Sequence, residues 1–114
     1  MRGLTDIDEL AQRENRPRVA VLTSDADAED APYLTIGLGN ADSVLVFEQG
    51  DDEHGGYSRG SRVGDTSEFS FAFGTGSSEY LGWMLIPKQT AIAAALEFFH
   101  TGEQPTNVEW DDRL

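Results

Sequence analysis

Apolar residues are most regularly spaced near the C-terminus, between Ile86 and Trp110. They recur there every three or four residues, which is the period of a helix with one apolar face. Pro87 suits the first helical position, and Gly102 suits a left-handed helix end. The pattern predicts a helix that covers a sheet, followed by a short closing strand from Val108 to Trp110. The expected buried stripe comprises Ile92, Ala95, Leu96 and Phe99, widened by Ala91, Ala94 and Phe98.

Six other segments show the alternation, or the β-branched and aromatic residues, that are typical of strands. They are residues 18–24, 33–40, 43–49, 57–59, 68–74 and 80–86. Alternation within 33–40 and within 68–74 places the apolar residues of each segment on one face. The three phenylalanines of 68–74 are expected in the core, under the C-terminal helix. A short N-terminal helix is also predicted, with Thr5 as its N-cap and Asp8 completing a capping box.

The connections between the middle segments are too short for the crossovers that parallel strands need. The order therefore predicts an α+β domain, with a single antiparallel sheet of about five or six strands. A short N-terminal helix and a longer C-terminal helix are expected to pack on this sheet. A chain of 114 residues is expected to form a single domain, 1–114. Because it lacks cysteine, a membrane-length apolar run and a signal-peptide pattern, we expect a soluble, cytoplasmic protein.

Charge is the most distinctive feature of the composition. Asp and Glu number 21 against 8 Lys and Arg, which gives a net charge of −13. This balance argues against binding to nucleic acid or to an anionic membrane, because phosphate contacts need basic side chains. It is compatible with solubility or adaptation to a salty or GC-rich host, and equally with a docking surface for a basic partner. Composition does not separate these interpretations, nor does it indicate an oligomeric state.

Catalytic signatures are scarce. His54 and His100 are the only two histidines, and each has a simple structural interpretation, in a glycine-flanked loop and at a helix end. A metal site at His54 is disfavoured, because its acidic neighbours are contiguous in one loop. The acidic stretch that begins at Asp25 is not an EF-hand, since Asp30 and Ile36 occupy the positions that need glycine and glutamate. The serines match no nucleophile motif. We therefore predict no enzymatic activity, no cofactor and no metal.

Two blocks of the chain resemble a known family. The C-terminal block opens with I-P, continues as an alanine-rich helix with E-F and ends with T-G-x-x-P-x-x-V-x-W. It consists of Ile86, Pro87, Ala91, Ala94, Glu97, Phe98, Thr101, Gly102, Pro105, Val108 and Trp110. The upstream block comprises Pro32, Leu34, Gly37, Gly39, Gly56, Tyr57, Ser58, Gly60, Phe71, Phe73 and Gly74. Over roughly residues 31–111 the chain resembles the first-numbered family of immunity proteins in bacterial polymorphic toxin systems, with Gln104 standing where that family more often has arginine.

The resemblance implies an antitoxin that binds the toxin domain of a neighbouring gene and blocks its active site. The toxins associated with this family are mainly nucleic-acid deaminases, so the implied partner has a basic active-site cleft. An alternative is a non-enzymatic acidic scaffold or subunit that binds another basic protein. A small hydrolase is a third possibility, but no nucleophile constellation supports it.

The expected partner-binding residues lie in two acidic loops and one aromatic patch, because recognition residues concentrate on loops and aromatic anchors. The first loop contributes Asp25, Asp27, Glu29 and Asp30; the second contributes Asp51, Asp52, Glu53 and His54, with Tyr57 next to it. The patch comprises Glu79, Tyr80 and Trp83. The simpler interpretation is that the loops are only solvated and that Trp83 belongs to the core. Trp110 is expected to be structural rather than interfacial.

Overall fold

The computed structural model describes residues 2–13, 17–23, 32–48, 54–73 and 76–111. Two helices are present in this part of the chain, α1 at Arg2–Arg13 and α2 at Lys88–Thr101. The strands are β1 Arg18–Thr23, β2 Tyr33–Leu38, β3 Asp42–Ser43, β4 Leu45–Glu48, β5 His54–Arg59, β6 Glu68–Phe73, β7 Gly76–Leu81, β8 Ile86–Pro87 and β9 Glu109–Asp111. A single 3₁₀ turn, Gly82–Met84, separates β7 from β8.

Seven strands form one curled sheet in the order β7-β6-β1-β2-β4-β5-β9, and β3 pairs with β8 in a second, two-stranded sheet. The α+β class is confirmed, but a single antiparallel sheet of about five or six strands is wrong. The large sheet is mixed, because β1 and β6 pair in parallel with Arg18 opposite Ala72. The Ala72 N–H donates to Pro17 O at 2.7 Å. This pairing joins strands that are distant in the chain, which leaves ample length for a crossover.

The predicted strand at 80–86 is confirmed at Tyr80, Leu81 and Ile86 but is wrong from Gly82 to Leu85. The Gly82 N–H still donates to Ser67 O at 2.8 Å, in register with the β6–β7 pairing. The chain then turns, because the Trp83 N–H donates to Asp65 O at 2.9 Å and the Leu85 N–H donates to Gly82 O at 3.2 Å. The resulting 3₁₀ turn lies over the concave face of the curled sheet. The expected strand 43–49 is similarly divided between β3 and β4.

The sheet buries apolar side chains on both faces. Leu45 and Phe47 of β4 belong to the cluster beneath α2, whereas Val44 and Val46 belong to the cluster on the concave face. The first cluster contains Leu34, Ile36, Leu38, Leu45, Phe47, Ile86, Ala91, Ala94, Ala95 and Phe98. The concave cluster contains Val44, Val46, Phe71, Tyr80, Trp83, Met84 and Leu85. The alternation predicted for β2 and β6 is thus confirmed where the structure describes it, but Phe71 lies on the face opposite α2.

Helix α2 is rotated towards one side of the expected stripe, so the expected burial of Ala91, Ala94, Ala95 and Phe98 is confirmed and that of Leu96 and Phe99 is wrong. Its buried residues are Ala91, Ala94, Ala95 and Phe98. Leu96 is only half-buried, and Phe99 is 65% exposed. The three alanines allow close approach to the sheet, where Phe98 meets Phe47 edge-on at 5.9 Å. Pro87 precedes the helix rather than opening it, while the left-handed end is confirmed at Gly102, with φ of 70°.

A buried carboxylate ties α1 to the rest of the fold. The helix begins at Arg2, so Thr5 is not its N-cap and Asp8 does not serve a capping box. Asp8 is 6% exposed. Its Oδ1 accepts from the Gly39 N–H at 2.7 Å, and its Oδ2 accepts from Lys88 Nζ at 2.8 Å and from Gln12 Nε2 at 2.7 Å. One side chain therefore joins α1, the end of β2 and the start of α2.

A pair of adjacent substitutions tests which face of α2 packs on the sheet. Phe98→Ala is expected to lower the free energy of unfolding by about 3–5 kcal/mol, because it opens a cavity between α2 and β4. Phe99→Ala is expected to change it by less than about 0.5 kcal/mol, since an exposed side chain loses few contacts. Urea titration of both variants measures the difference. An equal loss of stability in both variants, or a larger loss for Phe99→Ala, would contradict this orientation of the helix.

The role of Asp8 is tested against its exposed neighbour Glu9. Asp8→Ala is expected to lower the free energy of unfolding by about 1.5–3 kcal/mol, because it leaves the Lys88 ammonium and the Gly39 N–H without their acceptor. Glu9→Ala removes an equal charge from the same helix and is expected to lower the free energy of unfolding by less than about 0.5 kcal/mol. Thermal unfolding at neutral pH compares the two. Matching melting temperatures would show that the carboxylate of Asp8 does not anchor the helix.

Candidate functional site

A pocket of about 370 Å³ opens on the concave face of the large sheet. It is lined by Thr35, Val46, Glu48, Tyr57, Ser78, Glu79, Tyr80, Leu81 and Met84. Strands β5 and β7 both contribute, although β6, β1, β2 and β4 lie between them in the sheet. The curl of the sheet is therefore what creates the pocket, by bringing Tyr57 and Tyr80 to the same cavity.

The pocket combines aromatic rings with a fixed carboxylate. Tyr33 Oη donates a hydrogen bond to Glu48 Oε2, and this bond is the main reason why the pKa of Tyr33 is raised. The ring of Tyr80 packs edge-on against Phe71 at 5.8 Å. Burial is the largest cause that raises the pKa of Tyr80, with smaller contributions from Tyr57 and Glu48. Both phenols are therefore neutral at physiological pH.

No lysine or arginine is found among the described residues that line this pocket. A carboxylate beside two phenols, without a basic neighbour in the wall, presents negative potential and hydrogen-bond acceptors. Such a surface fits a cationic group of a partner and disfavours a phosphate. The sequence did not single out Glu48. The available signal was the alternation of β4, which places Glu48 on the same face as Val46.

Glu79 borders the pocket, but its carboxylate is engaged elsewhere. It accepts hydrogen bonds from Ser70 Oγ at 3.3 Å and from Ser77 Oγ at 3.1 Å. Ser70 is its cross-strand partner on β6, whereas Tyr80 is paired with Phe69. Because successive side chains alternate across a strand, Glu79 and Tyr80 point to opposite faces.

Trp83, the third member of the expected aromatic patch, is 5% exposed and packs within the concave cluster. Its burial favours the core interpretation, because a side chain so covered offers little surface to a partner. Of the expected binding residues, the structure thus brings together Tyr57, Glu79 and Tyr80 around one pocket and places Trp83 beneath it.

The acidic loops lie outside the described residues, including Asp25, Asp27, Glu29 and Asp30 of the first and Asp51, Asp52 and Glu53 of the second. His54 is described only through its backbone, as the first residue of β5.

The residues that anchor the two loops are nevertheless described, and they form a row. Thr23 pairs with Tyr33, Tyr33 pairs with Glu48, and Glu48 pairs with His54. The first acidic loop connects Thr23 to the β2 side of this row, and the second connects Glu48 to His54. The residues that flank both loops in the chain therefore lie at the same end of these strands, next to Glu48, which lines the pocket.

The G-Y-S-x-G segment supports the pocket from behind. The hydroxyl of Ser58 accepts from the Leu45 N–H at 2.9 Å and donates to Met84 O at 2.6 Å. A Cβ on Gly60 would lie 1.7 Å from the Leu85 carbonyl oxygen, so only glycine fits at this crossing. These contacts hold the 3₁₀ turn against β5 and leave Tyr57 at the pocket wall.

The C-terminal block is structural as well. Trp110 Nε1 donates to Pro105 O at 2.9 Å, and its ring lies 6.2 Å from that of Phe47. Glu97 on α2 accepts from both the N–H and the hydroxyl of Thr106. The half-buried Trp110 therefore packs on the apolar cluster beneath α2, as expected for a structural residue, and β9 closes the sheet beside β5.

Two further features are absent from the described residues. No group of three His, Asp or Glu side chains in the described ranges could hold a metal ion. Neither described helix is long and apolar enough to cross a membrane.

The fold and the pocket together define a small acidic α+β protein whose pocket presents phenols and carboxylates. The family model described as Immunity protein Imm1 matches residues 2–112. The chain therefore belongs to the Imm1 family of immunity proteins. This result confirms the resemblance seen in two blocks of the sequence and extends it to nearly the whole chain. The family is non-enzymatic, and its members bind a cognate toxin.

Comparison with curated proteins and with solved structures gave no match to the chain.

The Tyr33–Glu48 contact is tested by titration in a background that carries Tyr57→Phe and Tyr80→Phe. Tyr33 is then the only remaining phenol of the three tyrosines. Glu48→Gln is expected to bring the pKa of Tyr33 down towards its ordinary value of 10.0, because the charged acceptor is lost. Tyrosinate absorbance between neutral and strongly alkaline pH measures the shift.

The same contact makes a prediction for stability. The pKa of Tyr33 in the folded protein lies above its unfolded value of 10.0. The contribution of the Tyr33–Glu48 bond to the free energy of unfolding is therefore complete below pH 10.0 and is lost as the pH rises through the folded pKa. Glu109→Gln, an exposed change on β9, is the control and is expected to leave the Tyr33 titration unaltered. An unshifted titration in Glu48→Gln would contradict the bond.

Proposed function

We propose that this Imm1 protein neutralises a nucleic-acid deaminase toxin by binding over the active site of the toxin. The resemblance to its family supports the choice of toxin class. Deaminases of nucleic acids bind a polyanionic substrate in a basic cleft. A protein of net charge −13 suits that cleft as a competing polyanion, and electrostatic attraction would speed the encounter.

The observation that carries this proposal is that the residues flanking both acidic loops lie side by side at one end of the sheet. The row Thr23, Tyr33, Glu48 and His54 contains the residues that flank these loops in the chain, and its Glu48 lines the pocket together with Tyr57 and Tyr80. Charge from the loops and an aromatic anchor in the pocket would then act on one partner surface. Steered association with a buried aromatic contact is a common combination at tight interfaces.

The proposed contact surface accordingly has three parts. The first two are the loop residues Asp25, Asp27, Glu29 and Asp30, and Asp51, Asp52, Glu53 and His54. The third is the pocket, which contributes Tyr57, Tyr80 and Glu48, with Glu79 on its border. Trp83 supports this surface from the core and does not form part of it.

Charge reversal of the second loop tests the proposal. Asp51→Lys with Asp52→Lys is expected to slow association with the toxin by about tenfold and to weaken its dependence on salt. The matched control is Glu9→Lys with Glu103→Lys, two exposed acids outside the proposed surface. Both double variants have the same net charge, so a difference between them reports the position of the charge. Stopped-flow binding at several salt concentrations, with the deaminase domain encoded by the neighbouring gene, measures both effects.

The activity assay separates the proposal from its alternatives. The wild-type protein is expected to abolish deamination of a single-stranded nucleic acid by this toxin in proportion to the complex formed. Binding without inhibition would favour a scaffold that holds a basic partner, and no binding would reject the toxin class. Equal association rates for the two double variants would reject the acidic second loop as part of the interface.

A further inference from the structure

Strand β7 lies at the end of the large sheet. It pairs with β6 over its full length, and in the part of the chain that the structure describes no strand pairs with its other side. Gly76, Ser77 and Glu79 are exposed, while Tyr80 is buried towards the pocket. An open strand of six residues offers a row of backbone donors and acceptors to another chain.

Two hydrogen bonds determine which backbone groups face outwards. Directly opposite residues in an antiparallel pair alternate between hydrogen-bonded and non-bonded positions. Gly82 N–H donates to Ser67 O, so the next opposed pair, Glu68 and Leu81, is non-bonded. The alternation continues in steps of two along the strand. The N–H and C=O groups of Ser77, Glu79 and Leu81 therefore point away from β6.

The second bond gives the same result independently. The Ala72 N–H donates to Pro17 O on the β1 side, so it is not available to β7. Ala72 is opposite Ser77, which makes this pair non-bonded too. Both ends of the β6–β7 ladder thus agree on the outward-facing residues.

The open edge borders the pocket. Ser78, Glu79, Tyr80 and Leu81 all belong to its lining. A strand added beside β7 would place alternate side chains on the same face as Ser78 and Tyr80. Those side chains would project over the cavity that contains Glu48.

We propose that β7 is a strand-addition site, where an extended segment of the toxin carrying Lys or Arg pairs with the outward backbone groups of Ser77, Glu79 and Leu81. This inference rests on the proposed function and adds to it the mode of contact. Main-chain bonds supply affinity in such complexes, and side chains at alternate positions supply specificity. A basic residue on one face of the segment meets Glu48 in the pocket, and one on the other face meets Glu79.

Charge selects this occupant over a second copy of the chain. In an antiparallel self-pairing centred on the outward groups, Glu79 would stand opposite Glu79 of the other copy. Like charges in directly opposed positions destabilise a strand pair. The net charge of −13 on each copy adds repulsion, whereas a basic segment converts the same position into an attractive pair.

Amide hydrogen exchange resolved by NMR tests the pairing without any substitution. In the free protein the amides of Ser77, Glu79 and Leu81 are expected to exchange quickly, while those of Ser78 and Tyr80 are protected by β6. In the complex with the toxin domain, the first three are expected to slow by about tenfold or more. Fast exchange at all three in a fully inhibited complex would overturn strand addition and leave the proposed function intact.

A pair of variants at one position isolates the backbone contribution. Glu79→Ala and Glu79→Pro both remove the carboxylate and its bonds to Ser70 and Ser77, but only proline removes the outward N–H. Because this N–H does not serve the β6 ladder, proline is tolerated at such an edge position. Toxin affinity is expected to be about five- to tenfold lower for Glu79→Pro than for Glu79→Ala.

The outcomes separate the two proposals. Equal affinities of the two variants, both verified as folded by thermal unfolding, would overturn strand addition. If Glu79→Pro does not fold, the exchange experiment on the wild-type protein decides. Failure of the wild-type protein to bind the deaminase would reject the proposed function itself. A dimer of the free protein in sedimentation, dissociated by Glu79→Pro, would assign the edge to a second copy and overturn the assignment to the toxin.

Discussion

The segment from Val44 to Phe47 is apolar on both faces, and this constraint determines how the rest of the chain is arranged. Leu45 and Phe47 are covered by α2. Val44 and Val46 need a separate cover, which the curl of the sheet and the 3₁₀ turn provide. Each such side chain contributes about 1.5–3 kcal/mol when buried, so neither cover is dispensable. The concave cover extends less far than a helix would, and the pocket occupies the space left beside Glu48.

The positions that carry the resemblance to the family mostly maintain these two covers. Ser58 and Gly60 hold the 3₁₀ turn in place through a bridging hydroxyl and a close backbone crossing. Pro105 and Trp110 extend the cover on the α2 side. Such residues identify the fold but carry little information about the partner. Tyr57 differs from its neighbours in the G-Y-S-x-G segment because its side chain lines the pocket.

The sequence predicted strand faces better than helix rotation, for a physical reason. A strand alternates at every residue, so a single polar or apolar position determines the face. Helix α2 is apolar on most sides, and its pattern fits a stripe through Phe99 as well as one through Phe98. Close packing of small alanines, rather than the size of the apolar side chains, decided between the two. Glu48 joined Tyr57 and Tyr80 only through the curl, which depends on contacts between distant segments such as the pairing of Arg18 with Ala72.

In the binding mode that we propose, the pocket and the open edge of β7 act on different stages of binding. Charge around Glu48 attracts a basic partner over a distance and is screened by salt, so it governs the rate of association. Backbone pairing along β7 acts only at contact and does not depend on which side chains the partner carries, so it governs the rate of dissociation. Because Tyr80 lies in the pocket while its strand forms the edge, the two contributions meet on one rigid element. A partner that satisfies only one of them is either attracted and released, or bound slowly, and discrimination follows from requiring both.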